Sequence, residues 1–314
     1  MPPVSAAQAR LLVGLLGVFW GLNWIAVRIA LDEVRPWSLR AIGMGLGAVT
    51  LFAWALARGR SLRVAPGAAR RRLAIAGVLN IAAFGVFTAF AQLAASTSRV
   101  TIVTFTMPIW SVIFARLALG ERLDGWRTLA VALAAGGLAV LIAPLLVPLR
   151  AGTLAPGALA GIGWALLAGI AWAAGTVYLK ASRIDADPLA IAAWQLAAGF
   201  SAVALGVLAF EGAPRSWPTQ PGTWLAIGYH VLLGIALPYL LWFGIVGRTP
   251  AATAALGTLL VPVVAVVGAV ALLGERPGPV DTVGFALIFC AAAAVLLRPI
   301  PAPVPLTPRP GDTP

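Results

Sequence analysis

The chain has 314 residues, of which 61% are hydrophobic and only 10% are charged, and its mean hydropathy is +0.96. A soluble domain carries about 25% charged residues, so this composition excludes an ordinary soluble protein and indicates a polytopic membrane protein. The formal net charge of +12 does not indicate nucleic-acid binding, because the arginines cluster in loops between apolar stretches and form no basic soluble domain.

Apolar stretches long enough to cross a bilayer, which takes about 20 residues, follow one another along the chain. Five lie in residues 11–149 and five in residues 157–298, so the predicted fold class is all-α integral membrane with ten transmembrane helices. Residues 299–314 are too rich in proline for a helix and are predicted to be disordered. The predicted spans are Leu11 to Leu31, Trp37 to Leu56, Leu73 to Ala94, Val100 to Leu119, Thr128 to Leu149, Gly157 to Leu179, Pro188 to Phe210, Thr223 to Val246, Ala251 to Leu273 and Val280 to Leu297.

The distribution of lysine and arginine predicts that both termini are cytoplasmic. In this orientation 15 of the 22 basic residues lie on the cytoplasmic side, and the loop from Arg58 to Arg72 contributes most to the difference.

One stretch of the chain occurs twice, as TMPIWSVIFARLALGER at residues 106–122 and LVPVVAVVGAVALLGER at residues 260–276. Each copy places a proline, Pro108 or Pro262, thirteen residues before a glutamate, Glu121 or Glu275. A proline inside a helix leaves the carbonyl four residues earlier without its donor, so both copies predict a kinked helix that ends at a left-handed glycine. The released carbonyls, those of Thr104 and Thr258, are candidates for a pathway.

A second set of residues repeats at a similar offset. Trp20, Arg28 and Pro36 reappear with the same spacing as Trp172, Lys180 and Pro188. Because each repeat holds an odd number of spans, the two halves must have opposite orientations in the membrane. Two inverted five-helix repeats predict a secondary transporter that works by alternating access, with its binding site near the midplane where the halves meet.

Several motifs carry a family resemblance across residues 11–298. The first half contains FWGLNW, PWSLR and GWRTLAVALAAGGLAVLI, and the second contains AWAAGTVYLK and DTVGFALIFCAAAAVLL, in addition to the two proline-to-LGER segments. They resemble the EamA family of the drug/metabolite transporter superfamily. This resemblance implies a ten-helix inner-membrane carrier, often an exporter of amino acids or other small metabolites, and the superfamily also includes sugar-phosphate and nucleotide-sugar carriers. Arg99 departs from the small residue that the family tends to have, which suggests either an adaptation to an anionic group or an interfacial arginine.

Candidate substrate-binding residues are polar or aromatic side chains within the predicted spans. His230 is the only histidine and is interpreted either as a packed, hydrogen-bonded residue or as a substrate contact or proton acceptor. A hydroxyl stripe near Pro108 suggests either a cavity lining or a helix-packing face. The predicted lining set is Asn23, Trp24, Thr104, Trp172, Thr176, His230 and Tyr239.

Three further groups are assigned other roles. Pro238, like Pro108 and Pro262, predicts a kink, whereas Glu121 and Glu275 are predicted to stabilise the N-terminus of the following helix. Gln92 and Gln195 suggest hydrogen bonds between helices. All ten acidic residues are expected in loops or at helix ends, so no carboxylate proton relay is apparent.

These features together predict a multipass inner-membrane permease, with a small-molecule substrate, the lipid bilayer as its environment and no nucleic-acid partner. No catalytic constellation, metal cluster or cofactor motif is found in the sequence, so no enzymatic activity, metal or cofactor is expected. The alternatives are a membrane-embedded sensor or enzyme without transport, and the oligomeric state is either a monomer or a homodimer.

Overall fold

The computed structural model describes residues 6–120, 124–151, 157–213, 217–239, 241 and 251–297, and these residues form helices and no β-strand. Eight helices are long and apolar enough to cross a membrane, and two shorter apolar helical stretches, Thr258–Leu273 and Pro279–Ala294, follow them. The helices are α1 (Ala6–Ala30), α2 (Pro36–Ala57), α3 (Ala68–Ala94), α4 (Thr97–Leu119), α5 (Gly125–Arg150), α6 (Ala158–Ser182), α7 (Pro188–Glu211), α8 (Pro221–Tyr239), α9 (Ala251–Leu273) and α10 (Pro279–Leu296).

Helix α4 is broken, not kinked, at the first copy of the repeated segment. Its two parts, Thr97–Thr104 and Met107–Leu119, are separated by a turn, and Pro108 lies at the start of the second part. The Thr106 hydroxyl stabilises the break, because it donates to the Val103 carbonyl at 2.8 Å. The prediction of a continuous kinked helix was therefore wrong for this copy.

The second copy keeps its helix whole. Pro262 lies inside α9, which runs unbroken from Ala251 to Leu273. The position equivalent to Thr106 is Leu260, whose side chain offers no hydroxyl to satisfy the carbonyls of an open turn. Both copies end at a glycine in the left-handed region, Gly120 at φ 70° and Gly274 at φ 69°, which confirms the predicted helix ends.

Helices α3 and α8 each contain a π-helical stretch that reaches the interior, and a third stretch, Val207–Glu211, ends α7. The first two cover Val78–Ala83 in α3 and His230–Ala236 in α8, where Pro238 lies just beyond the stretch. A π-helical turn is wider than an α-helical turn and commonly marks a functional site. In both helices it brings a polar side chain, Asn80 or His230, towards the interior, where each is buried.

The helices pack in pairs that join the first five to the second five. The main pairs are α1 with α9, α5 with α10, α2 with α7, α3 with α6, α4 with α6, α3 with α7, and α1 with α8. Small residues allow the closest approaches, as at Gly21 against Val264 and at Gly161 against Ala95. Such small-residue contacts are the usual basis of helix packing in a membrane, where lipid supplies no hydrophobic driving force.

Glutamates link the ends of helices that are distant in sequence. Glu275 was predicted to stabilise the helix that follows it, but its carboxylate accepts instead from the backbone amides of Thr97 at 2.6 Å and Ser98 at 3.0 Å, at the start of α4. Glu211 accepts in the same way from the amides of Trp37 and Ser38 at the start of α2, each at 2.9 Å. These carboxylates neutralise the unpaired donors and the positive dipole at helix N-termini.

Glu33 makes a third cap of this kind, on residues 219–223 at the start of α8. Glu121 and the predicted tail at residues 299–314 lie outside the described residues.

Arg99 forms an ion pair with Asp281 of α10, at 2.6 Å, and is therefore a link between helices at the predicted outer face.

Candidate substrate cavity

A cavity of about 200 Å³ lies among the helices, with residues of both halves of the chain in its wall. Helices α1 to α4 contribute from the first half and α6 to α9 from the second. The aromatic part of the wall consists of Trp20, Trp24, Phe84, Phe105, Trp172 and Tyr239, and the polar part of Asn23, Arg40, Asn80, Thr88, Gln92, His230 and Thr258. No acidic residue of the described chain lines it.

Three of the aromatic rings form one connected surface. Phe84 meets Trp24 edge-on, with ring centroids 6.5 Å apart, and lies against Trp172 at 5.0 Å. These separations are those of favourable aromatic pairs, so each ring limits the movement of the next. The surface joins α1, α3 and α6, and a ligand could contact both its apolar area and the electron-rich faces of its rings.

His230 is held by a hydrogen bond and by close packing. Its Nδ1 lies 2.8 Å from Asn23 Oδ1, and only 2% of the residue is exposed. A methyl group at Gly43 would overlap His230 Nε2, and one at Gly234 would overlap the amide of Asn23. The two glycines therefore leave the space that the pair occupies, and Nε2 has no hydrogen-bond partner.

Asn80 of α3 makes contacts that resemble the one between His230 and Asn23. Its Oδ1 accepts from the Thr176 hydroxyl of α6 at 3.4 Å, and its amide donates to Gln195 Oε1 of α7 at 3.2 Å. A Cβ at Gly175 would overlap the Asn80 amide, as one at Gly234 would overlap Asn23. Helices α3 and α6 are thus joined by a polar pair beside a glycine, in the same way as α8 and α1.

Arg40 brings a positive charge to the wall of the cavity. Only 7% of the residue is exposed, and its Nη2 donates to the Thr88 hydroxyl of α3 at 3.0 Å. Its Nε is buried and has no hydrogen-bond partner. A guanidinium stays protonated in proteins, so this is a permanent cation inside the predicted membrane span.

Gln92 adds an acceptor at another part of the wall. Its amide nitrogen donates to the Trp24 backbone carbonyl at 2.8 Å, which fixes the orientation of the side chain. Its Oε1 is buried and lacks a partner. The cavity wall therefore contains an unsatisfied donor on Arg40, an unsatisfied amide acceptor on Gln92 and the unpartnered Nε2 of His230.

Five of the seven predicted lining residues meet in this cavity: Asn23, Trp24, Trp172, His230 and Tyr239. Thr104 does not, because it is fully buried against α6, where its hydroxyl lies 3.4 Å from the Ala165 carbonyl and its own carbonyl lies against Gly169. Thr176 lies behind the wall and reaches the cavity only through Asn80. Of the two carbonyls expected to be released by proline, only that of Thr258 belongs to a residue of the wall.

Sequence reasoning missed Arg40, Thr88 and Asn80 as lining residues. Arg40 was counted only for orientation, among the basic residues that were not placed on the cytoplasmic side. A signal was available, since Arg40 falls inside the predicted second span, where a charged residue is costly and indicates function. Asn80 was detectable by the same criterion for polar residues in a span.

A family model described as the EamA-like transporter family matches residues 8–143 and 159–297. The chain is also 33% identical over 262 residues to the uncharacterized protein PA1977 of Pseudomonas aeruginosa, which covers 82% of this chain and 83% of the relative. It is 26% identical over 302 residues to the uncharacterized inner membrane transporter YedA of Escherichia coli K12, covering 92% of this chain and 93% of that one.

Two further similarities agree with these. The uncharacterized transporter YoaV of Bacillus subtilis is 21% identical over 260 residues, which is 82% of this chain and 87% of the relative. A crystal structure with 24% sequence identity has the same fold, with a TM-score of 0.61 over 93% of this chain and 98% of its own. With both halves matched and the helices long enough to span a bilayer, the chain is a multi-pass inner-membrane protein that belongs to the EamA-like transporter family.

Proposed function

We propose that the protein is a secondary transporter that exports amino acids or related small metabolites by alternating access. The observation that carries this proposal is the cavity whose wall is shared by α1 to α4 and α6 to α9. A binding site between two halves can be exposed to either side of the membrane when one half rocks against the other. A site within one half would offer no such exchange.

The helix pairs support two inverted repeats of five helices, residues 11–149 and 157–298. If each helix is replaced by its counterpart five positions along the chain, the pair α1 with α9 becomes α6 with α4, and the pair α1 with α8 becomes α6 with α3. The pairs α2 with α7 and α5 with α10 are unchanged. A two-fold axis in the membrane plane would produce this pattern.

The size and lining of the cavity favour a small amphipathic substrate. A volume of about 200 Å³ is below the range of about 300–1,000 Å³ typical of pockets for drug-sized ligands. This makes a nucleotide-sugar a poor fit. The aromatic surface formed by Trp24, Phe84 and Trp172 suits an apolar side chain, while the polar residues would orient its charged groups.

Counterflow in proteoliposomes tests the proposal. Vesicles loaded with an unlabelled mixture of neutral amino acids should accumulate each radiolabelled member that is a substrate, above the level in protein-free vesicles. Absence of accumulation across a broad metabolite panel, with ligand binding intact, would favour a membrane-embedded sensor over a transporter.

Direction and orientation require separate measurements in cells. Overexpression of an exporter should raise resistance to toxic amino-acid analogues, whereas greater sensitivity would indicate uptake. Reporter fusions should place both termini in the cytoplasm, as the basic residues predict. A periplasmic signal from either terminus would contradict this orientation.

A further inference from the structure

We propose that Arg40 binds an anionic group of the substrate, and that the cavity therefore selects small amphipathic carboxylates. This inference rests on the proposed function, because it assigns a substrate class to the same cavity. It makes Arg40 and its partner Thr88 the determinants of charge selectivity.

Arg40 carries a buried positive charge without an acidic partner in the described chain. Arg28, Arg60 and Arg99 form ion pairs with aspartates, whereas Arg40 has no carboxylate within ion-pair distance there. A buried charge without a partner costs several kcal/mol, and more so within a bilayer. A bound anion would supply a counter-charge to Arg40, so the cavity favours a ligand with one negative group.

Thr88 fixes the geometry of the Arg40 guanidinium. The Thr88 hydroxyl lies 2.9 Å from both the Phe84 and Gly85 carbonyls, so its proton is directed to its own helix. Its lone pair is left to accept from Arg40 Nη2, which holds the guanidinium in one orientation. Nε remains without a partner, and a carboxylate can accept from Nε and a neighbouring Nη together.

The other residues of the cavity wall suit the remaining parts of such a ligand. The aromatic rings of Trp24, Phe84 and Trp172 lie in the wall of the same small cavity and fit an apolar body. Gln92 Oε1 is an unsatisfied acceptor that could receive an ammonium group, which would extend the class from simple acids to zwitterionic amino acids. A phosphate dianion fits less well, since Arg40 is the only lysine or arginine among the lining residues.

Three probes with the same phenyl group separate these contributions: phenylalanine is a zwitterion, 3-phenylpropionate has only the carboxylate, and phenethylamine has only the ammonium. Their binding to the full-length protein in detergent is measured by tryptophan fluorescence and by thermal shift. Wild-type protein should bind both carboxylates at least about tenfold more tightly than phenethylamine, as expected for a charge-assisted hydrogen bond. Whether phenylalanine binds better than 3-phenylpropionate decides between an amino-acid and a simple-acid substrate.

Arg40→Gln should abolish the preference for carboxylates while leaving the melting temperature near that of wild type, because it removes an unpaired buried charge. Arg40→Lys should retain part of the preference, since lysine keeps the charge without the planar fork. Arg58→Gln is the control, because Arg58 stacks on Trp54 at the other end of the same helix, outside the cavity wall. If Arg40→Gln does not fold, Thr88→Val tests the assignment instead, because it keeps the charge of Arg40 and removes only the acceptor that orients it. We expect Thr88→Val to weaken the preference for carboxylates.

The assignment is overturned if wild-type protein binds phenethylamine as well as 3-phenylpropionate, or binds neither carboxylate up to millimolar concentration. It is equally overturned if Arg40→Gln, or Thr88→Val in its place, keeps the wild-type preference. Carboxylate binding without counterflow would contradict the proposed transport function and leave the assignment of Arg40 standing. Counterflow without a preference for carboxylates would support the transport function and overturn the assignment of Arg40.

Discussion

His230 Nδ1 and Asn23 Oδ1 lie 2.8 Å apart and join α8 to α1 at the wall of the cavity. The contact forms where α8 is π-helical and where Gly234 leaves room for the Asn23 amide. It links a helix of the first half to one of the second, so any rocking of the halves must either carry this pair as a unit or break it. We regard His230 as a residue that positions Asn23.

Replacing His230 with glutamine should change transport and its pH dependence without unfolding the protein. Glutamine can still bond to Asn23, but it cannot take up a proton and places no ring nitrogen at the position of Nε2. We expect counterflow to fall by roughly tenfold, as for the loss of the one polar contact that Nε2 can offer to a substrate. The measurement is the counterflow rate of wild type and variant from acidic to alkaline pH, with the melting temperature as the folding control.

Arg40 is the charged residue that faces the same part of the cavity as His230, and no acidic residue of the described chain lines it. A pH profile that is lost in His230→Gln is therefore attributable to the histidine. Identical transport in wild type and variant at every pH would remove the proposed role of His230.

Gly234→Ala should destabilise the protein, because the added methyl group would overlap the Asn23 amide. Overpacking of this kind typically costs about 1–3 kcal/mol, more than the roughly 0.5–1 kcal/mol that alanine gains over glycine in a helix. Gly228→Ala is the matched control, since Gly228 is in the same helix and nothing lies within 4 Å of its added Cβ. Thermal unfolding in detergent should show a lower melting temperature for the first variant only; equal values would argue against tight packing of Asn23.

Glu33 should stabilise the fold in a pH-dependent way. Hydrogen bonds from Thr223 and Thr219 lower the pKa of Glu33 from its ordinary 4.5 to about 2. A lowered pKa means that the stabilisation is fully present above about pH 4.5 and is lost as the pH falls towards 2. The melting temperature of Glu33→Gln should therefore be below that of wild type at neutral pH, and the difference should shrink on acidification.

Asp32→Asn provides the control for that series, because Asp32 is the neighbouring, mostly exposed carboxylate and pairs with Arg28 on the surface. Surface pairs of this kind contribute little to stability. A gap between wild type and Glu33→Gln that stays constant from pH 7 to pH 3 would contradict the capping role of Glu33.

The sequence was informative where the two copies of the repeated segment agree and less so where they differ. The copies lie in α4 and α9, and five of the predicted lining residues do line the cavity. The break in α4 could not be predicted from Pro108 alone, because it depends on the Thr106 hydroxyl, and the second copy has Leu260 at that place. Local chemistry at one position thus decides between a kinked and a broken helix.

The sequence also did not show in which direction each side chain points. Arg40 was considered only as one of the basic residues not placed on the cytoplasmic side, yet the packing of α2 against α7 and α3 turns it inward. Thr104 was placed in the wall, but α6 approaches so closely at Gly169 that it is covered. The rotation of each helix depends on its tertiary neighbours, and a single span carries little information about them.

The most direct test of transport through this cavity is to fill it. The atoms nearest to a Cβ at Gly85 are the terminal carbon of the flexible Met44 side chain and Cδ and Nε of Arg40, so the larger side chain of Gly85→Leu would occupy cavity space. Gly228→Leu adds the same group where nothing lies within 4 Å. In proteoliposomes, counterflow of a substrate should be abolished by Gly85→Leu and retained by Gly228→Leu, with both melting temperatures near that of wild type. A folded Gly85→Leu variant that transports at the wild-type rate would show that the substrate does not pass through the cavity.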